Sequence, residues 1–190
     1  KNHIDKNGYV VYSHYLDDIN NKDYYNSLFG LEKRKKYKDR YYNNNFDYIN
    51  LEKKVKIGDK VKKDSIEINK KEYQSLLDKN YSFINEDKTK TELNSRNYKA
   101  KLLIKYDRLA YTLPFNDIRI TLDSNIKYKN NYLNENKIFR NVDKEFKRIL
   151  EVKFNNFLPN HLKMILKKYN LQRLSISKYV ICRQSLRNSR

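Results

Sequence analysis

A single cysteine, Cys182, stands in a chain of 190 residues that has no tryptophan, two prolines and three glycines. A lone thiol excludes a disulfide framework and a thiolate metal site, and it suits a reducing compartment, so a cytoplasmic location is expected. His3, His14 and His161 lie too far apart in sequence to show metal-ligand spacing. With so few glycines and prolines there is no flexible linker, no repeat and no visible boundary, and one domain over 1–190 is expected. No apolar run approaches the ~18 residues of a membrane span, and no charged-then-apolar leader opens the chain, which therefore reads as soluble with no transmembrane segment. The chain begins at Lys1 in the middle of polar sequence, as a chain with an upstream part would.

Acidic residues are also scarce: 23 Asp+Glu oppose 42 Lys+Arg, a formal charge of +19. That excess fits a polyanionic partner, whether nucleic acid, a phosphate-rich ligand or an anionic membrane. Abundant Lys, Asn, Tyr and Ile are equally what AT-rich coding produces, so charge alone does not choose among these partners.

Strand-like segments follow one another at 9–16, 33–42, 47–56, 63–68, 101–111, 117–123, 148–154 and 177–184. Eight strands are the number that closes a small barrel around a ligand-sized bore. The Asn- and Lys-rich stretches 43–47, 85–97 and 127–147 read as loops. A helix is expected over 70–78, opened by a capping box of Asn69 and Glu72. A second starts at Pro159, and its stripe of Leu162, Ile165, Leu166 and Tyr169 reads as packing against the barrel wall.

Side chains alternate across a strand, so parity assigns faces. Arg34, Lys36, Lys38 and Arg40 share one face of 33–42. Glu52, Lys54 and Lys56 oppose Ile49, Leu51 and Val55. Leu102, Ile104, Tyr106 and Arg108 alternate with Leu103, Lys105, Asp107 and Leu109. Arg119, Thr121 and Asp123 oppose Ile118, Ile120 and Leu122. In "ILEVKFNNFLPNHL" (149–162), Glu151 and Lys153 oppose Leu150, Val152 and Phe154, which are expected to meet a covering helix. One charged face is ordinarily just solvated. Recurrence on many strands, with helices to cover the apolar faces, turns the charges inward. A bore lined by Lys and Arg must then hold anions, because unpaired buried cations cost several kcal/mol each. Arginine forks and lysine point charges at several depths suit a chain of phosphates. A carboxylate among them, Glu151, is explained by a bridging divalent metal or by pairing with a lysine; Glu52 reads as a salt-bridge partner that spaces the cations.

The stretches "YLDD", "FGLEKRKKYKDRYYN", "LEKKVKIGDKVKK", "YDRLAY", "DIRITLD", "ILEVKFNNFLP" and "SISKYVICR" resemble, in order, the vacuolar transporter chaperone (VTC) domain, over about residues 9 to 184. The resemblance implies an α+β triphosphate-tunnel fold: an antiparallel eight-stranded β-barrel with helices packed outside. It implies a polyphosphate polymerase that transfers the terminal phosphate of ATP to a growing polyphosphate chain, with Mn2+ or Mg2+ as cofactor. Carried over by position, Lys38, Arg40, Lys54, Lys63, Arg108, Arg119, Ser177 and Lys178 would bind phosphate. Lys178, Arg119 and Lys153 would be the catalytic cations, and Glu151 the metal ligand. ATP and polyphosphate are the partners implied, and nucleic acid is not expected. Three departures follow: Lys38 stands where the family has arginine, Asp39 replaces an apolar residue on the outer face and so weakens packing there, and the family's charged first strand has no counterpart before Tyr9. The tunnel is therefore expected to lack one wall. Alternatives are a triphosphate hydrolase or cyclase on the same fold, a non-catalytic polyphosphate-binding relative, and a basic nucleic-acid-binding module.

Overall fold

Alternating inner and outer side chains generate most of the molecule, as the computed structural model of the chain shows; it describes residues 8–130, 138–169 and 171–188. The order is β1 (Tyr9–Asp17), α1 (Lys22–Leu28), β2 (Lys33–Tyr42), β3 (Asn45–Ile57), β4 (Lys60–Ile68), α2 (Lys70–Leu77), α3 (Asp87–Ser95), β5 (Lys99–Leu113), β6 (Ile118–Asn130), β7 (Arg140–Asn141), β8 (Arg148–Lys153), α4 (Asn160–Lys167) and α5 (Lys178–Asn188). The antiparallel sheet runs β4-β3-β2-β1-β5-β6-β7, and β8 continues the β7 lane along β6. Shifts in register at Tyr15/Leu16, Arg40/Tyr42 and Lys105/Asp107 are the kind of irregularity that bends strands and increases twist. The sheet curls until β4 and β8 line one cavity, but no ladder joins them among the described residues.

Local chemistry sets the corners. Asn43 and Asn44 both take left-handed φ, 51° and 55°, which allows the tight turn between β2 and β3. The Asn69 side chain accepts from the amides of Lys71 and Glu72, and the Glu72 carboxylate accepts from the amide of Asn69, so the expected capping box is present.

Two apolar clusters hold the sheet. Outside, Leu16, Tyr37, Tyr41, Ile49 and Leu51 are covered by α2 and α3 through Tyr73, Leu76 and Leu93. Inside, at one end, Leu102, Ile104 and Tyr128 meet Tyr24 of α1 and Tyr179, Ile181 and Cys182 of α5. Buried tyrosine hydroxyls find acceptors: Tyr98 donates to Asp23 (2.7 Å), Tyr179 to Asp17 (3.0 Å) and Tyr81 to the carbonyl of Tyr98 (2.6 Å).

Several expectations fail for physical reasons. The segment 177–184 is not a strand: α5 starts at Lys178, and Tyr179, Val180, Ile181 and Cys182 are all buried, so both parities are apolar and periodicity could not separate a buried helix from a strand. The stretch 85–97 is not a loop but contains α3, anchored by buried Thr89 and Leu93. Residues 45–47 belong to β3 and 127–130 to β6; of the remainder of 127–147, residues 131–137 lie outside the described ones, as does His3. The stripe on α4 does not pack on the wall: the helix buries no residue, and Met164, Ile165 and Tyr169 are exposed. Leu150 and Phe154 are likewise exposed rather than covered. Asp39 does not leave a defect, because it is fully buried and accepts from the His14 amide (2.9 Å) and pairs with His14 Nδ1 (3.0 Å), beside the Tyr73 hydroxyl.

Replacing Asp39 therefore tests that pairing. Asp39→Leu should lower stability by ~1–3 kcal/mol, the cost of orphaning buried polar groups. Asp39→Asn, which keeps an acceptor for the amide, should cost clearly less. Urea denaturation midpoints decide; equal losses for the two variants would show that the carbonyl-like acceptor contributes nothing.

Candidate functional site

Along β5 one face changes character within eight residues: Leu102, Ile104 and Tyr106 lie in the inner apolar cluster, Tyr106 also lines a cavity of about 730 Å³, and Arg108 faces that cavity. This gives the curled sheet an apolar end and a charged one. Arg34, Lys36, Lys38 and Arg40 enter the cavity from β2, and Glu52, Lys54 and Lys56 from β3. Lys63 comes from β4, Arg119 and Thr121 from β6, and Glu151 and Lys153 from β8. Ser177 and Lys178 arrive from the strap that leads into α5, not from a closing strand. All the phosphate-binding, catalytic and metal-binding candidates named from the sequence therefore line one cavity. Gly8, at φ 79°, lets β1 begin against this wall, since a Cβ there would lie 2.8 Å from the carbonyl oxygen of Arg108.

Two buried carboxylates organise the cations. Glu52 receives Lys63 (2.8 Å), Lys38 (3.3 Å) and Arg40 (3.3 Å). Burial opposes its ionisation, but Lys38, Arg40 and Lys63 outweigh that and hold its pKa down to about 2. Asp123, fully buried, grips Arg108 through two bonds of 2.6 and 2.8 Å and Lys178 through one of 2.6 Å. Burial would raise its pKa as well, yet Arg108 and Lys178 lower it. The Tyr106 ring lies 4.8 Å from the Lys178 ammonium and 5.2 Å from the Arg108 guanidinium. Parity placed Asp123 on the charged face, but its hold on two cations from other elements depends on tertiary contacts that no spacing reveals.

Other cations on this wall have no buried carboxylate partner among the described residues. Register sets Arg34 opposite Lys56, Lys36 opposite Lys54, and Arg119 opposite Lys153, three like-charge pairs directly across the ladder. Of these six, only Lys153 has a salt bridge to a described residue, at 3.3 Å to Glu151; Lys36 donates to Ser177 Oγ at 2.7 Å. Burial first, then Lys54 and Arg34, push the Lys36 pKa down to about 8. Lys54 is also lowered, by burial and then by Lys153, against the opposing pull of Glu151. Thr121 Oγ1 and Arg40 Nε, both on the cavity wall, are buried without a hydrogen-bond partner. Crowded cations and idle polar atoms give this cavity the donors and charge that an anion with several oxygens would need.

No group of three or more His, Cys, Asp or Glu side chains is arranged to hold a metal among the described residues. Glu151 is half-exposed in the cavity, with its pKa lowered as Lys153 and Lys178 overcome partial burial. A single carboxylate of this kind fits Mg2+ or Mn2+ bound mainly through substrate phosphates, and does not fit an all-protein cage.

A strongly curled antiparallel sheet around a basic, phosphate-suited cavity is the triphosphate-tunnel class of fold. A Bacillus halodurans protein solved under the description "putative adenylate cyclase" shares it, with a TM-score of 0.56 at 10% identity, over 91% of this chain and 81% of that one. The VTC domain family model matches residues 1–187, and the chain belongs to that family. Comparison with curated proteins finds no significant match. The fold and family give the protein a tunnel-type, phosphate-related function. Among the described residues no helix is long and apolar enough to cross a membrane.

Two titrations follow. Glu52 has a depressed folded pKa, so its stabilisation is complete above about pH 4.5 and is lost as pH falls toward about 2. Glu52→Gln should flatten the acid limb of the stability curve over that window, read by urea midpoints at several pH values. Lys36, lowered to about 8, is partly neutral in the ligand-free protein above that pH, and a bound anion should return its proton. Calorimetry with tripolyphosphate in buffers of different ionisation enthalpy should show more proton uptake at pH 8.5 than at pH 6.5. Lys36→Met should remove that excess, and an unchanged excess would sink the assignment.

Proposed function

We propose that the cavity transfers the terminal phosphate of ATP to the end of a polyphosphate chain. The observation that carries this reading is the set of like-charge ladder pairs: Arg34 with Lys56, Lys36 with Lys54, and Arg119 with Lys153. A sheet tolerates such pairs poorly unless an anion lies between them, and pairs on two walls suit several phosphates in succession better than one. Family membership supports it too.

In this reading Lys36, Lys54 and Arg119 cancel phosphate charge and hold acceptor and donor in line, while Lys178 and Arg108, fixed by Asp123, bound the deep end. The acceptor phosphate oxygen forms a P–O bond to the γ-phosphorus, the bond to the β-phosphate oxygen breaks, and ADP leaves. Phosphoryl transfer of this kind asks for placement and charge stabilisation more than for a protein nucleophile. Glu151 would hold a divalent ion, Mn2+ or Mg2+, whose chemistry is neutralisation of charge shared between phosphates.

A non-catalytic polyphosphate binder is the second reading, favoured by the engagement of Lys38, Arg40, Lys63, Arg108 and Lys178 with the protein's own carboxylates. Incubation with ATP and Mn2+ followed by gel electrophoresis separates the two. A ladder of long polyphosphate, reduced at least about 100-fold by Arg119→Ala and by Glu151→Ala with thermal stability kept, is the expected result. Release of free phosphate alone would point to a hydrolase, and polyphosphate binding without turnover to the second reading.

A further inference from the structure

α5 serves two cavities. Lys178 at its start faces the large one, whereas Arg183, Leu186 and Arg187, roughly one and a half to two and a half turns further on, line a second cavity of about 390 Å³. The remaining walls are Asn21 before α1, Lys99 and Lys101 of β5, and Asn130 at the end of β6. Leu102, Ile104 and Tyr179 belong to the apolar cluster that fills this end of the sheet, so the second cavity opens beyond that cluster and away from Arg108. Four cationic side chains, Lys99, Lys101, Arg183 and Arg187, line it.

The arginines are held in place. The Arg183 guanidinium lies over the rings of Tyr24 (5.3 Å) and Tyr179 (6.0 Å) and donates to Asn21 Oδ1 (3.2 Å). Arg187 lies over Tyr24 (5.2 Å) and Tyr25 (5.6 Å) and donates to the Tyr25 hydroxyl (2.8 Å). Aromatic faces orient such forks, and each guanidinium has five N–H donors, of which these bonds use one. Lys101 is only 4% exposed. Burial pushes its pKa down to about 8, against the pull of Asp17 and with the repulsion of Lys99 and Arg183. An anion in the cavity would reverse that repulsion.

We infer that this second cavity is a separate binding site for a phosphoryl group carrying two or more negative charges, whether free orthophosphate, the end of a phosphate chain or the triphosphate of a nucleotide. The inference rests on the convergence of four cations on one cavity and on the oriented forks of Arg183 and Arg187, not on the reaction proposed for the large cavity.

Calorimetry of the whole chain with orthophosphate, tripolyphosphate and ATP in turn tests it. Lys99→Gln, and separately Arg183→Gln with Arg187→Gln, should each weaken one binding event by about tenfold or more, the loss expected when charge-assisted bonds to phosphate are removed. Arg119→Ala with Lys54→Ala should leave that event in place. If the large cavity binds no phosphate, the Lys99-sensitive event still stands alone, so the two readings fail separately. Preference for orthophosphate, for tripolyphosphate or for ATP identifies the source of the group. The site is refuted if none of the three ligands gives an event sensitive to Lys99→Gln. Circular dichroism checks the arginine variant, and Lys99→Gln decides alone if the loss of both stacks unfolds α5.

Discussion

Like-charge repulsion on the inner face of one sheet is the constraint that the rest of the structure accommodates. Two unit charges ~4 Å apart at the effective dielectric of a protein surface interact by about 4 kcal/mol. A strand reading Arg34, Lys36, Lys38, Arg40 cannot curl inward without relief. Glu52 supplies it on β3, next to Lys38 in register, and Asp123 supplies it on β6, next to Arg108. Each carboxylate is buried and each holds more than one cation, so the two act as fixed internal counter-ions. What they do not neutralise, Arg34, Lys36, Lys54, Lys56 and Arg119, defines where an external anion belongs. The same arithmetic explains why a wall so basic can be part of a folded protein.

The charged region needs a boundary, and tyrosine provides it. Tyr106, Tyr15 and Tyr179 offer apolar faces to the inner cluster and polar edges to the cavity or to Asp17. Burial raises the pKa of each of these phenols, which keeps them neutral donors. Asp23 shows what the arrangement costs: burial, with Asp17 and Asp18 nearby, lifts its pKa to about 7 in spite of the bond from Tyr98.

Strand parity made most of this legible. It put Lys36, Lys54, Arg119 and Glu151 on inner faces because a half-buried strand advertises its two sides in alternation. It failed where alternation was absent. Tyr179 to Cys182 are apolar on both parities, and only the contact with Tyr24 and Leu102 makes them a helix. α3 was hidden because its residues are mostly polar and only Thr89 and Leu93 are buried. The stripe on α4 is a true helical period, but period states amphipathicity and not the presence of a neighbour. His14 and Asp39 are 25 residues apart, and their pairing exists only because β1 and β2 are adjacent.

Among the described residues the sheet ends on one side at β4, whose nine residues pair there with β3 alone. An unpaired strand of that length is a template for other chains, and exposed Val61 and Ile66 would encourage such pairing. Lys60, Lys62 and Lys63 stand among them on the same edge. Two copies approaching edge to edge would bring these ammonium groups together before any backbone bond could form. The lysines of this edge, among them the Lys63 that also lines the phosphate cavity, therefore disfavour edge-to-edge pairing of two copies as well.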